Sequence, residues 1–188
     1  INSIDKFRAV EIYKQIDNNI LKEKIAFATI DRIGQNLSSL CKIDKAKTNN
    51  ILNSISLSTL LSKLEVCSFR DFCSVLIEIK PIDNNRISKK LYNTIKQENL
   101  SIKIAKASFK EFCNGIIKLS KIDASYTKTI LNKIDVSYLT KKLDLEKPKF
   151  EELANAILNL NNIDKSVTKK IFSLSTINSK AKELGEDA

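Results

Sequence analysis

Among the Ile-Asp pairs of this chain, those ending at Asp5, Asp44, Asp83, Asp123 and Asp164 follow one another at near-constant spacings of 39, 39, 40 and 41 residues. Self-similarity at a period of roughly 20–50 residues is the mark of a repeat array. Each unit of such an array is one supersecondary module whose apolar face is buried only when neighbours stack on it.

The apolar residues before each pair keep a common register. Ile30, Ile33, Gly34, Leu37, Leu40 and Ile43 stand at offsets 0, 3, 4, 7, 10 and 13, positions that share one face of an α-helix. Phe69, Phe72, Cys73, Leu76, Ile79 and Ile82 repeat the pattern. So do Phe109, Phe112, Cys113, Ile116, Leu119 and Ile122, and again Phe150, Leu153, Ala154, Ile157, Leu160 and Ile163. This predicts one helix of about 14 residues per copy, helix A. The rings of these Phe residues fall on the core stripe, so they are read as packing and not as stacking platforms for bases.

The Asp that follows is placed to cap a second helix, since a carboxylate accepts hydrogen bonds from first-turn N–H groups and suits the positive helix end. Capping is preferred to a row of metal-binding carboxylates, because packed helix layers stand roughly 10 Å apart and metal–oxygen bonds span about 2–2.6 Å. Helix B carries Ile51, Leu52 and Ile55 in one copy and Ile130, Leu131 and Ile134 in another. Leu91 and Ile95 come one residue later, which fits an extra residue near Asn84 or Asn85. The last copy has Ile171 and Phe172 but Ser175 at the third position.

A short helix C of about two turns closes each unit with an apolar pair four residues apart: Leu21 and Ile25, Leu60 and Leu64, Leu100 and Ile104, Leu139 and Leu143. A lysine precedes the second member each time, at Lys24, Lys63, Lys103 and Lys142. The last copy has Lys180 and Leu184 at the paired positions. Pro148 marks the start of the last helix A, Pro81 the end of an earlier one, and residues 185–188 read as a frayed tail.

The expected fold is therefore all-α: a right-handed α-α superhelix, or solenoid, of about five repeats, each with two main helices and a short third. The units run 1–27, 28–67, 68–107, 108–147 and 148–188 in a single domain. The first unit lacks helix A, so Ile12, Tyr13 and Ile16 should be partly uncovered and need a capping segment or a second copy against them. The chain begins at Ile1 and contains no Met, and is expected to be a fragment of a longer protein.

Composition narrows the function classes. The longest apolar runs are only a few residues, far short of a membrane span, and no signal-peptide pattern opens the chain. Lys and Arg number 32 against 22 acids, a net charge of +10, which suits nucleic acid or simply a Lys-, Asn- and Ile-rich coding bias. Arg, the usual bidentate reader of phosphates and bases, occurs only at Arg8, Arg32, Arg70 and Arg86. With no His and no Cys-x-x-Cys, the usual zinc sets and His-dependent triads are ruled out. Gly34, Gly115 and Gly185 stand far apart, so no Gly-rich phosphate loop forms. Cys73 and Cys113 share a position with Gly34 and Ala154, where a small residue lets two helices approach. Cys41 and Cys67 are ordinary free thiols, which places the chain in a reducing, intracellular, cytoplasmic compartment. No catalytic residue, metal or cofactor is expected, and the chain is not read as an enzyme.

What remains is a set of lysines off the apolar stripe of helices B and C: Lys89, Lys90, Lys128, Lys133, Lys141, Lys142, Lys169 and Lys170. If helix B lines a concave side, they form a basic strip for an acidic peptide or for RNA.

The pattern Phe-x-x-Phe-Cys-x-x-Ile-Ile-x-Leu-x-x-Ile-Asp, then Lys-Thr-Ile-Leu-Asn-Lys-Ile-Asp and Leu-Thr-Lys-Lys-Leu, resembles degenerate helical repeats of the HEAT and TPR kind. Such repeats are found in the C-terminal parts of archaeal and bacterial STAND-type signalling ATPases. That resemblance implies a non-catalytic sensor or docking scaffold for another protein. Residues 152–160, Glu-Leu-Ala-Asn-Ala-Ile-Leu-Asn-Leu, also resemble helix A of octotricopeptide-type organellar RNA-binding repeats, which implies single-stranded RNA as the alternative partner.

Overall fold

The Ile-Asp junctions at Asp44, Asp123 and Asp164 are helix boundaries, and Asp83 lies in the turn between two helices. The computed structural model describes residues 6–146 and 148–172. The expectations for Ile4, Asp5, Ser175, Lys180, Leu184 and the 185–188 tail fall outside them, as does the side chain of Phe150. In chain order the helices are α1 (Lys6–Gln15), α2 (Asn18–Phe27), α3 (Ile30–Ile43), α4 (Lys45–Ser54), α5 (Leu57–Val66), α6 (Phe69–Ile79), α7 (Arg86–Thr94), α8 (Gln97–Lys106), α9 (Phe109–Ile122), α10 (Ala124–Lys133), α11 (Val136–Glu146), α12 (Phe150–Ile163) and α13 (Lys165–Ile171). The protein is all-helical, with no strand among the described residues. No helix there is long and apolar enough to cross a membrane.

α3, α6, α9 and α12 are the A helices; α3, α9 and α12 have 14 residues each. Side chains cap the starts of α6 and α9. In α6, Ser68 Oγ accepts from the Asp71 N–H at 3.1 Å. The Ser108 hydroxyl accepts from the Glu111 N–H and the Glu111 carboxylate accepts from the Ser108 N–H, a reciprocal cap,. α6 stops at Ile79 after 11 residues, because Pro81 supplies no N–H to continue it. The chain then turns through Asn84 and Asn85, both with left-handed backbone, φ 57° and 73°. Asn tolerates that conformation, and these residues absorb the insertion expected in this copy. Ile82 is buried all the same, so helix A's last apolar position survives outside the helix.

Helix C is longer than the apolar pairs suggest. α2, α5 and α8 have ten residues and α11 has 11, three turns in place of two. The paired apolars mark only the middle of each helix. In α5 and α2 the start is fixed upstream by polar caps: Ser56 Oγ accepts from the Thr59 N–H at 3.1 Å and Asp17 Oδ1 from the Asn19 N–H at 2.6 Å,.

The helices group into two units, Ile1–Ile95 and Lys96–Ala188. In the first, α3 packs on α6 and on its own α4, α2 packs on α4, and α5 packs on α7. In the second, α9 packs on α12 and α10, α12 on α13, and α11 on both α13 and α9. The same relations recur in each unit: A against the next A, B against its own A, C against the next B. Phe72 and Phe112 are fully buried, as is Leu153 at the equivalent place, and Cys73 and Cys113 lie beside them in the core. Each such side chain contributes roughly 1.5–3 kcal/mol by leaving water.

Gly34 shows what the small position is for. A Cβ there would stand 3.2 Å from the Val75 Cα and overlap the Glu78 carboxylate, so its absence lets α3 lie close against α6.

α1 is more open than its counterpart α4. Ile12 is 49% exposed and Ile16 37%, whereas Ile51, at the same helix B position as Ile12, is 0% exposed. Tyr13 departs from the expectation. It is buried, and its hydroxyl is hydrogen-bonded to Thr48 Oγ1 at 3.0 Å. A polar tip that reaches across to α4 brings its ring under cover.

Candidate recognition surfaces

The recurring polar residues divide into those that hold the repeat together and those that face outward. The Asp residues belong to the first group. Asp44 Oδ1 accepts from the Lys47 N–H at 2.9 Å, Asp123 Oδ1 from Tyr126 N–H at 3.0 Å, and Asp164 Oδ1 from Ser166 and Val167 N–H at 2.9 and 3.1 Å. Asp83 Oδ2 accepts from Ile87 N–H at 2.8 Å, one residue later than usual because of the insertion. A threonine four residues on completes the junctions at Asp44, Asp123 and Asp164, a signal the Ile-Asp spacing overlooks. Thr48, Thr127 and Thr168 donate their hydroxyls to the carbonyls of Asp44, Asp123 and Asp164 at 2.7, 2.7 and 2.8 Å.

The Ser166 hydroxyl, aided by the Val167 amide, holds the Asp164 carboxyl below the usual carboxylate range. A carboxyl whose pKa is depressed on folding stabilises the fold above its unfolded value of about 4 and loses that contribution as pH falls through the folded value. Thermal unfolding should therefore shift downward on acidification below about pH 4. Asp164→Asn should flatten that part of the profile; an unchanged profile would show that the cap carries no linkage.

The lysine before each helix C pair is also structural. Lys63 donates to the Ala28 carbonyl at 2.9 Å, and Lys142 donates to the Ala107 carbonyl while lying 4.9 Å from the centroid of the Tyr138 ring. Ala28 and Ala107 are the C-caps of α2 and α8, where orphan carbonyls and the negative helix end both attract a cation. Lys103, at the equivalent place, is 6% exposed. Lys47 does the same for α1, donating to the carbonyls of Tyr13, Lys14 and Ile16 at 2.6, 3.0 and 2.6 Å. Removing such a charged hydrogen bond should cost roughly 1.5–3 kcal/mol. Lys63→Met should show that loss in urea unfolding, while Lys24→Met, at the equivalent position of α2 but exposed, should stay within about 0.5 kcal/mol.

This reorders the basic strip. Lys142 is tied to Ala107, and Lys133 donates to Gln97 Oε1 at 2.9 Å. Lys89 and Lys90 lie exposed on α7 in the first unit. Lys128 on α10, Lys141 on α11, and Lys169 and Lys170 on α13 are exposed in the second. Lys128 is near enough to Asp164 to help lower its pKa.

A different surface lies between α9 and α12. A cleft of about 270 Å³ is floored by Cys113 and Ala156 and flanked by Ile117, with Asn114, Asn155 and Asn159 along its walls. Lys110 and Glu152 form an ion pair of 2.6 Å at its edge. Burial pushes the Cys113 thiol up to about 12, so the floor is neutral. Where Gly34 draws α3 onto α6, the larger Cys113 stands at the same point of the α9–α12 seam. Sequence periodicity passes over the three Asn residues because they lie off the apolar stripe.

No protein-family model matches the chain, and no curated protein and no solved structure matches it either.

Proposed function

We propose that the chain is a non-catalytic helical-repeat scaffold that recognises another protein in the cytoplasm. Its A, B and C helices would stack as a right-handed α-α superhelix of five repeats, the first without helix A. The observation that carries this reading is where the chemically capable residues go. Cys73 and Cys113 are buried, the junction carboxylates cap helices, and two of the recurring helix C lysines tie down helix ends. The exposed surface among the described residues includes amide, apolar and lysine groups, which suits binding.

Single-stranded RNA remains the second reading, favoured by the exposure of Lys128, Lys169 and Lys170 in one unit. Reversing these three charges together should abolish binding of an acidic peptide or RNA if the strip is the site. Unchanged binding by filter assay would remove the strip from the account.

A further inference from the structure

We propose that the cleft between α9 and α12 binds an extended peptide segment through its backbone. This rests on the protein-recognition reading above and names its site. Asn53 and Asn132 donate their amides to the Asn49 and Lys128 carbonyls, and Asn84 accepts from Lys45. The side-chain amides of Asn114, Asn155 and Asn159 make no hydrogen bond to another described residue, and all three residues are exposed along one cleft. Each amide offers both donors and an acceptor, the same pairing that a peptide bond requires.

The spacing suits an extended chain. Asn155 and Asn159 are four residues apart on α12, a rise of about 6 Å. An extended strand returns to the same face every two residues, after about 6.6–6.8 Å. Successive backbone groups on one face of the peptide therefore meet successive amides. Asn114 stands across the seam on α9 to engage the opposite edge. Between them the neutral floor of Cys113 and Ala156, with Ile117 beside it, takes small apolar side chains.

Other occupants fit less well. The cation at the cleft, Lys110, is paired with Glu152, so a phosphate chain finds no net positive charge. An amphipathic helix laid on its apolar face would bury three amides without hydrogen bonds, which is costly.

The test is a selection of random displayed peptides against the full chain, with the binders measured by fluorescence anisotropy. Asn155→Ala with Asn159→Ala should weaken them roughly tenfold or more without moving thermal unfolding. N-methylation of alternate peptide amides should weaken binding to the unsubstituted chain by a similar factor. Binders indifferent to both changes would overturn the cleft and leave protein recognition standing. If no displayed peptide binds the chain, the recognition reading itself falls.

Discussion

Phe72→Ala lowers the stability of the folded chain by about 3–5 kcal/mol, the cost of lost burial plus the cavity left behind. Phe72 is fully buried on helix A and meets Tyr92 edge-on, with ring centroids 6.3 Å apart. Phe112→Ala, at the same repeat position and equally buried, carries a cost of the same size. Total stability of a domain is about 5–15 kcal/mol, so either change removes a large share of it. Phe27 is the control: it is 87% exposed, and Phe27→Ala should stay within about 0.5 kcal/mol. Urea midpoints at constant slope measure all three. Equal losses at Phe27 and Phe72 would mean that the helix A register does not describe the core.

Ile51→Lys unfolds the chain or nearly so, whereas Ile12→Lys is tolerated. The two positions are equivalent in helix B, yet Ile51 is fully buried and Ile12 half exposed. A lysine at Ile51 forces a charge among the helices that pack on α4, and an unpaired buried charge costs several kcal/mol. At Ile12 the ammonium reaches water along its own stem, with an expected cost of about 1 kcal/mol or less. Helical circular dichroism and thermal unfolding separate the outcomes. Damage as severe at Ile12 as at Ile51 would show that α1 is covered after all, and that a missing helix A does not explain its open face.

These contrasts show which features could be read from residues alone. Helix A was legible because six apolar positions repeat at helical offsets over 14 residues, and only a helix puts Ile33, Leu37 and Leu40 on one side. The insertion at Asn84 and Asn85 was legible because the apolar residues downstream shift by one. The full length of helix C was not, since Ser56 and Asp17 set its start while the apolar pair reports only its middle. The clamp lysines were visible as a recurrence but not as clamps. Their acceptors are backbone carbonyls 35 residues upstream, and a carbonyl leaves no trace in residue identity. Lys142 therefore entered the basic strip although its ammonium is held by Ala107. The α9–α12 cleft depends on how closely two A helices approach and on three Asn side chains left unbonded, quantities that only coordinates supply.

The most direct measurement of the central claim, that this is a protein-recognition scaffold and not a nucleic-acid reader, is a binding titration against salt. The full chain is tested with single-stranded RNA and with its selected peptides between about 50 and 200 mM salt, a range over which several phosphate contacts lose about a thousandfold or more in affinity. The account predicts peptide binding that changes little across that range and RNA binding that is weak throughout. Tight RNA binding that falls linearly and steeply in log–log form would contradict it.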